Sequence, residues 1–403
     1  MSFFIAILGL GLLVLVHEAG HFFTARAVGM SPRRFYVGFP PALVKVKRKG
    51  IEYGIGTIPL GGYVKIPGMH RPAPSDVDVH FGPALAEAPQ LVGSTERVKR
   101  ALAEGDMDAA RGHLSELEAA VEHGGVTGQA LKAARRGLQE LSDGLGEDAY
   151  WRQRIWKRII VIFAGPGTNL LFAIAVFFAL FLIVGGNATR TVDVVDRGMP
   201  AAKVLEPGDV ILAVNGVPVQ PDTISSKIRS TKGRPVTLKV NRHGHWIDLP
   251  AVKPRLTDGA YRLGFRLKAE PLGPGGALWQ SLRLAGVVTK EIGASLLQLT
   301  HGQGRKQVSS PVGIVEGSSK ALQQGLETFL WVLGLLSLSL ALLNLLPLLP
   351  LDGGHIAFSI IEGIRGRAVG REVYERVSAV GIALVLLLFF IGLSNDVGKL
   401  GGS

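Results

Sequence analysis

The sequence predicts a polytopic α-helical membrane protein with about four transmembrane helices, a membrane-associated β-hairpin loop, a helical cytoplasmic insertion and one β-rich external domain. Three observations predict it. Hydrophobic residues make up 47% of the 403, and mean hydropathy is +0.30. Apolar runs at 3–25, 159–186, 329–351 and 377–395 are each close to or above the roughly 20 residues that cross a bilayer as a helix. The basic residues behind a net charge of +12 flank these runs instead of forming one aromatic-laced patch, which favours membrane topology and argues against a nucleic acid partner.

Residues 1–27 form the first transmembrane helix. The run lacks the basic start and small-residue cleavage site of a signal peptide, so it is expected to be retained. Its only ionisable side chains between Ser2 and Ala25 belong to His17-Glu18-Ala19-Gly20-His21. Histidines four apart share a helix face and can ligate one metal through neutral imidazole nitrogens, and the glutamate beside the first suits a general base. Each ionisable group in hydrocarbon costs about 2.5–3.5 kcal/mol on insertion scales, so three together demand interior partners, here a metal.

Residues 35–67 alternate β-formers with glycine and proline: Val44-Lys45-Val46-Lys47, a Lys49-Gly50 turn, then Ile51 to Ile58. The reading is a small hairpin sheet dipping into the cytoplasmic leaflet, with Gly54, Gly56, Gly61 and Gly62 admitting another backbone. Residues 70–150 change to Ala, Glu, Gly, Leu and Arg. Helical spacing at Val98 and Leu102, at Leu114, Leu117 and Val121, and at Leu131, Leu138 and Leu141 predicts two or three helices, broken at Gly105, Gly124-Gly125 and Gly144. Arg26, Arg33, Arg34 and Lys45–Lys49 on one flank, with Arg152, Arg154, Lys157 and Arg158 on the other, place this connection in the cytoplasm.

The second transmembrane helix, 159–186, leads to an external domain at 188–268. Short strands with Gly208-Asp209 and Asn215-Gly216 turns predict a compact β-rich fold with one or two helices. Residues 274–326 supply an amphipathic helix carrying Trp279, laid along the outer membrane surface, and a connector. The third and fourth helices occupy 329–351 and 377–395, with Arg365, Arg367 and Arg371 keeping their connection cytoplasmic. Cysteine is absent, which excludes thiolate ligands and disulfides.

A catalytic zinc site needs a third protein ligand and an open position. Asp352 ends the third span on the cytoplasmic side, where His17 and His21 also lie, so depth and side agree. Pro347 and Pro350 interrupt the helix before it, and broken backbone at that depth implies a cavity. His355 is a rival ligand.

With HEAGH at 17–21 and NLLPLLPLDGGH at 344–355, the chain resembles the bacterial site-2 protease family: intramembrane zinc metalloproteases with a PDZ domain, here of the sigma-factor-regulator type. Ala164–Asn169 and Ser310–Ile314 resemble further family segments. Two departures stand: the second proline falls one residue late, at Pro350, and the 70–150 insertion has no counterpart. The resemblance implies a Zn2+ cofactor held by His17, His21 and Asp352, with Glu18 as catalytic base. It implies a substrate-binding set of Asn344, Pro347, Gly54 and Gly56, the substrate adding as a strand to the edge near Gly54 to Pro59. It also implies a PDZ-like outer domain that acts as a size filter or binds a carboxyl terminus, Leu263-Gly264-Phe265 resembling a carboxylate-binding loop. The partners implied are the lipid bilayer of the cell membrane, a single-pass transmembrane substrate such as an anti-sigma factor, and an upstream site-1-type protease that cuts it first. The alternative is a non-catalytic PDZ membrane adaptor with a structural metal. An intact Glu18 argues against it, since a structural site needs no base.

Overall fold

A computed structural model describes residues 1–257, 259–300, 309–367, 369 and 371–400. The chain divides into two units, Met1–Ala173 with Val288–Ser403, and Ile174–Val287.

In the first unit, α1 (Ser2–Ala27) buries Leu13, His17, Gly20, His21 and Ala25 along one face, the three-and-four spacing of a single helix stripe. Leu13 packs against Phe329 and Leu333 of α10 (Leu326–Asn344). With α6 (Ile155–Ile183) and α12 (Arg371–Leu400), these make four helices long and apolar enough to span a bilayer. Helices meet that demand because every internal backbone donor finds its acceptor within the segment.

β1 (Arg34–Arg48) and β2 (Ile51–Lys65) each bend into two halves. Ala42–Arg48 pairs with Ile51–Gly56. Glu52–Ile55 pairs on its other side with Arg34–Val37, which in turn pairs with Gly62–Lys65. Four segments therefore lie in the order 42–48, 51–56, 34–37, 62–65, and Gly54 is interior to the sheet. Alternation reveals a strand but not its neighbours, which is why the sequence reads as a simple hairpin.

The insertion holds four helices where two or three are expected: α2 (Pro74–Glu87), α3 (Val92–Glu104), α4 (Met107–His123) and α5 (Gly128–Leu145). Val77, Phe81, Val98, Leu117, Val121 and Leu141 share one core. α2 escapes the pattern because Pro83 sits inside it and its apolar stripe is only Val77, Phe81 and Ala84. α3 ends on Gly105 at φ +80°, a left-handed cap that favours glycine, and Asp106 caps α4 through the Ala109 amide.

α9 (Pro311–Gln324) is capped by Ser310, whose amide donates to the buried Asp396 of α12 at 2.7 Å. The expected third span, 329–351, is shorter than read. α10 stops at Asn344, residues 345–351 turn, and α11 (Asp352–Arg365) starts afresh. Pro347 and Pro350 explain the break, each lacking an N–H and disfavouring helix in the residue before it. The connection to the fourth span therefore contains a helix.

In the second unit the strands β3 (Asn187–Val195), β4 (Val210–Val214), β5 (Val217–Pro218), β6 (Leu238–Arg242), β7 (His245–Asp248), β8 (Arg255–Thr257), β9 (Ala260–Arg262) and β10 (Phe265–Glu270) form two antiparallel sheets. The larger has the order β10-β3-β4-β6-β7, with β5 on β4. α7 (Pro221–Ser230) inserts Ile224 and Ile228, one turn apart, into a core of Val192, Ile211, Leu238 and Val240. Asp209 is fully buried and takes two hydrogen bonds of 2.7 Å from the Arg242 guanidinium. α8 (Pro274–Thr300) follows, with Leu278, Trp279 and Leu282 exposed.

Candidate active site

α1 and α6 approach closely because Gly20 leaves room. A Cβ there would lie 2.4 Å from the Ala164 carbonyl oxygen and 2.6 Å from Thr168 Oγ1. Thr168 Oγ1 ties the pair by donating to the Val16 carbonyl at 3.0 Å. At this crossing His21 Nδ1 donates to the Val161 carbonyl at 2.8 Å, so its Nε2 carries a lone pair. His17 presents Nε2 at 3.2 Å from His21 Nε2.

The other nitrogen of His17 meets Asn169, fully buried on α6, with Nδ1 to Nδ2 at 3.4 Å. Asn169 Oδ1 has no partner among the described residues. Turning the amide by 180° lets Oδ1 accept from His17 Nδ1–H, which satisfies the oxygen and leaves His17 Nε2 bare as well. Ser337 of α10 anchors this point by donating to the Asn169 carbonyl at 2.8 Å.

Asp352 arrives from the far end of the chain. Its position is set by a turn folded tightly over the start of α11: a Cβ on Gly353 would lie 2.2 Å from the Leu345 carbonyl oxygen, and one on Gly354 2.5 Å from the Leu349 nitrogen. Asp352 Oδ2 comes to rest 3.1 Å from His17 Nε2 and 3.5 Å from His21 Nε2, and no hydrogen-bond donor among the described residues satisfies it.

Three metal-ligating atoms, two imidazole nitrogens and a carboxylate oxygen, thus converge within 4.8 Å. A cation resolves their repulsion. Tetrahedral zinc with bonds of about 2.0–2.1 Å requires ligand separations of roughly 3.3 Å, against 3.1, 3.2 and 3.5 Å here. Two imidazole nitrogens and one carboxylate oxygen also match a catalytic zinc set with a fourth position open.

Glu18 flanks this cluster and rests on the sheet. A Cβ on Gly62 would lie 2.8 Å from Glu18 Cγ, and the Val64 amide faces its carboxylate. Gly165 closes the other side, since a Cβ there would sit 2.2 Å from His21 Nε2 and 2.9 Å from His17 Cε1. Gly62, Gly165, Val161 and Asn169 are the site residues that sequence reasoning missed. Gly165 and Asn169 stand in the Ala164–Asn169 segment, and Gly62 in a glycine pair, but only the fold shows what they touch.

His355 is turned away from the cluster and bonds Tyr374 Oη, with Nδ1 at 2.9 Å. Asn344 closes α10 and Pro347 lies in the turn that delivers Asp352. Gly54 corrects the expected substrate edge. It is paired on both sides, to Tyr36 and Lys45, while Gly56 pairs with Ala42. The missing side chain of Gly54 makes room within the sheet, where a Cβ would lie 2.8 Å from the Tyr36 ring. The segment beside Glu18 is Gly62–Lys65, and among the described residues no strand pairs with its outer side.

A histidine pair and a neighbouring glutamate on α1, a helix of membrane length, met by the aspartate that opens α11, form the donor set expected of a membrane-embedded metallopeptidase. Residues 5–388 match peptidase family M50. A zinc metalloprotease named RasP from Geobacillus kaustophilus is 29% identical over 411 residues, covering 96% of each chain. A putative zinc metalloprotease of Brucella suis is 29% identical, covering 96% of this chain and 93% of its own, and one of Lactococcus lactis is 28% identical, covering 96% of both. The chain belongs to peptidase family M50 and is an intramembrane zinc metalloprotease, a multi-pass membrane protein that acts on membrane-protein substrates in the bilayer. The adaptor alternative falls with that membership.

Proposed function

We propose that His17 Nε2, His21 Nε2 and Asp352 Oδ2 hold the zinc, and that Glu18 is the general base for hydrolysis of a peptide bond within a transmembrane segment. The convergence of three donor atoms beside Glu18 carries this reading. Zinc, when bound, supplies Lewis-acid polarisation and lowers the pKa of water. Glu18 takes a proton from the attacking water and delivers it to the leaving amine. The Val64 amide and the Gly62 floor hold the carboxylate in place. Val161 and Asn169 hold the imidazoles in the tautomers that zinc needs.

A transmembrane helix must unwind before hydrolysis, and its freed backbone groups need partners. The outer edge at Gly62–Lys65 offers them by strand addition. Asn344 and Pro347, on the connection to Asp352, shape the broken backbone at that depth and contact the substrate there. The substrate class is a single-pass protein such as an anti-sigma factor, already shortened by an upstream site-1-type protease. Flanking basic residues support a cytoplasmic insertion and an external β-rich domain. An antiparallel sheet packed with the ten-residue α7, and Gly264 at φ +83° just before β10, support a PDZ-like filter for bulky ectodomains.

The test is zinc content and cleavage together. His17→Ala, His21→Ala and Asp352→Ala each lose both, while Val64→Pro, which removes the amide that faces the Glu18 carboxylate, keeps zinc and loses cleavage. An Asp352→Ala protein with stoichiometric zinc sinks the ligand assignment.

A further inference from the structure

The insertion is fastened to the same strand that faces Glu18. Asp143 of α5, 7% exposed, pairs with Arg33 at 2.7 Å and with Lys65 at 3.1 Å, and Asp148 takes a second Arg33 nitrogen at 2.8 Å. The Tyr150 and Trp151 amides donate to the Pro67 and Gly68 carbonyls at 2.9 and 3.0 Å. Buried or partly buried charges joined in a network hold one geometry, because losing any partner strands the others.

Between the fastened parts lies a cavity of about 390 Å³. One wall is Tyr63–Ile66, the outer end of the edge segment, and the other is formed by Asp76 and His80 of α2 and Glu140 of α5. The polar groups of the insertion wall are mutually engaged. His80 Nε2 lies 3.0 Å from Glu140, and Asp76 accepts from the Ala73 amide at 2.8 Å. Such a wall presents mixed polar and apolar surface of neither strong sign, suited to polypeptide and unsuited to hydrocarbon.

We propose that this cavity is a substrate subsite that receives the polypeptide segment leaving the membrane on the insertion's side, so that α2 and α5 take part in selecting what is cleaved. The inference rests on strand addition at Gly62–Lys65 and extends it. A strand laid along four residues travels about 13 Å. Starting at Gly62, beside Glu18, it runs along the cavity wall from Tyr63 to Ile66. Substrate residues from about one to eight positions from the scissile bond therefore lie along or within the cavity. They are juxtamembrane residues, no longer in hydrocarbon, which agrees with the polar lining.

The chain contains no cysteine, so single cysteines report proximity without background. In full-length Glu18→Gln protein, cysteines are introduced one at a time as Tyr63→Cys, His80→Cys, Glu140→Cys and, on the exposed side of α4, Glu118→Cys. Each is oxidised with a single-pass test polypeptide whose one cysteine is stepped through the juxtamembrane segment. His80→Cys and Glu140→Cys should couple at least about tenfold more than Glu118→Cys, because a seated chain raises the local thiol concentration to the millimolar range. The coupled positions should lie farther from the scissile bond than those reached by Tyr63→Cys. Coupling from Tyr63→Cys with none above control from His80→Cys and Glu140→Cys overturns the subsite and leaves strand addition standing. Absence of coupling from all three overturns both.

Discussion

Gly165→Ala is the smallest change that addresses the metal site without touching a ligand. Its Cβ would sit 2.2 Å from His21 Nε2 and 2.9 Å from His17 Cε1, where ordinary contact begins near 3.4 Å. His21 would have to retreat by more than 1 Å. It cannot do so alone, since Nδ1 is tied to the Val161 carbonyl at 2.8 Å and Gly20 already brings α1 against Ala164. Zinc sites tolerate displacements of about 0.2 Å, so the ligand set is broken. Alanine is otherwise the better helix former by about 0.8–1.0 kcal/mol, so the lesion is local and does not weaken α6. Gly167→Ala is the matched control: its Cβ meets only the Phe163 ring, at 3.3 Å. Zinc per protein, measured by elemental analysis after dialysis against a weak chelator, should fall close to zero for Gly165→Ala and stay near wild type for Gly167→Ala. Stoichiometric zinc in Gly165→Ala would refute the packing argument.

Asn169→Ala should weaken zinc binding about 10- to 100-fold in chelator competition, the usual effect of removing a group that orients a ligating histidine; an unchanged affinity would remove Asn169 from the site. Arg158, 9% exposed, pairs with Glu362 of α11 at 2.7 Å and stacks on Tyr150, so Arg158→Met should cost about 3–5 kcal/mol in thermal unfolding, and Arg158→Met with Glu362→Met should recover much of it. In the β-rich domain, burial raises the Asp209 pKa, but the hydrogen bonds from Arg242 outweigh it and hold the carboxylate below its ordinary value. A depressed carboxylate stabilises the fold above its unfolded pKa of about 3.9, and that contribution is lost as pH falls further. Hydrogen exchange of β4, corrected for intrinsic rates, should show this domain opening more readily below about pH 4, and Asp209→Asn should flatten the dependence.

Much of the site was legible because its chemistry is local. Helical spacing alone puts His17 and His21 on one face, and an apolar run long enough to span a membrane makes their presence costly without a metal. Asp352 was reachable by depth and sidedness, since both prolines mark a break in the helix that precedes it. What escaped depends on tertiary neighbours. Gly62 and Gly165 matter for what a Cβ would strike on another element, and a glycine's sequence context does not reveal that. Asn169 reads as one more polar residue in an apolar helix until His17 is placed beside it. Gly54 was assigned to an edge because a strand pattern carries no record of which strands flank it, and the bent β1 supplies neighbours on both sides.

The proposed mechanism turns on Glu18 acting as a base beside a zinc that it does not hold. The direct measurement compares purified wild-type and Glu18→Gln protein in bilayers, following cleavage of a single-pass helical substrate and zinc content in the same samples. Glu18→Gln should retain about one zinc per chain with the affinity of wild type, because a catalytic site uses three protein ligands and these are His17, His21 and Asp352. Its cleavage should fall to background. Cleavage near the wild-type rate by the zinc-loaded variant would contradict the account.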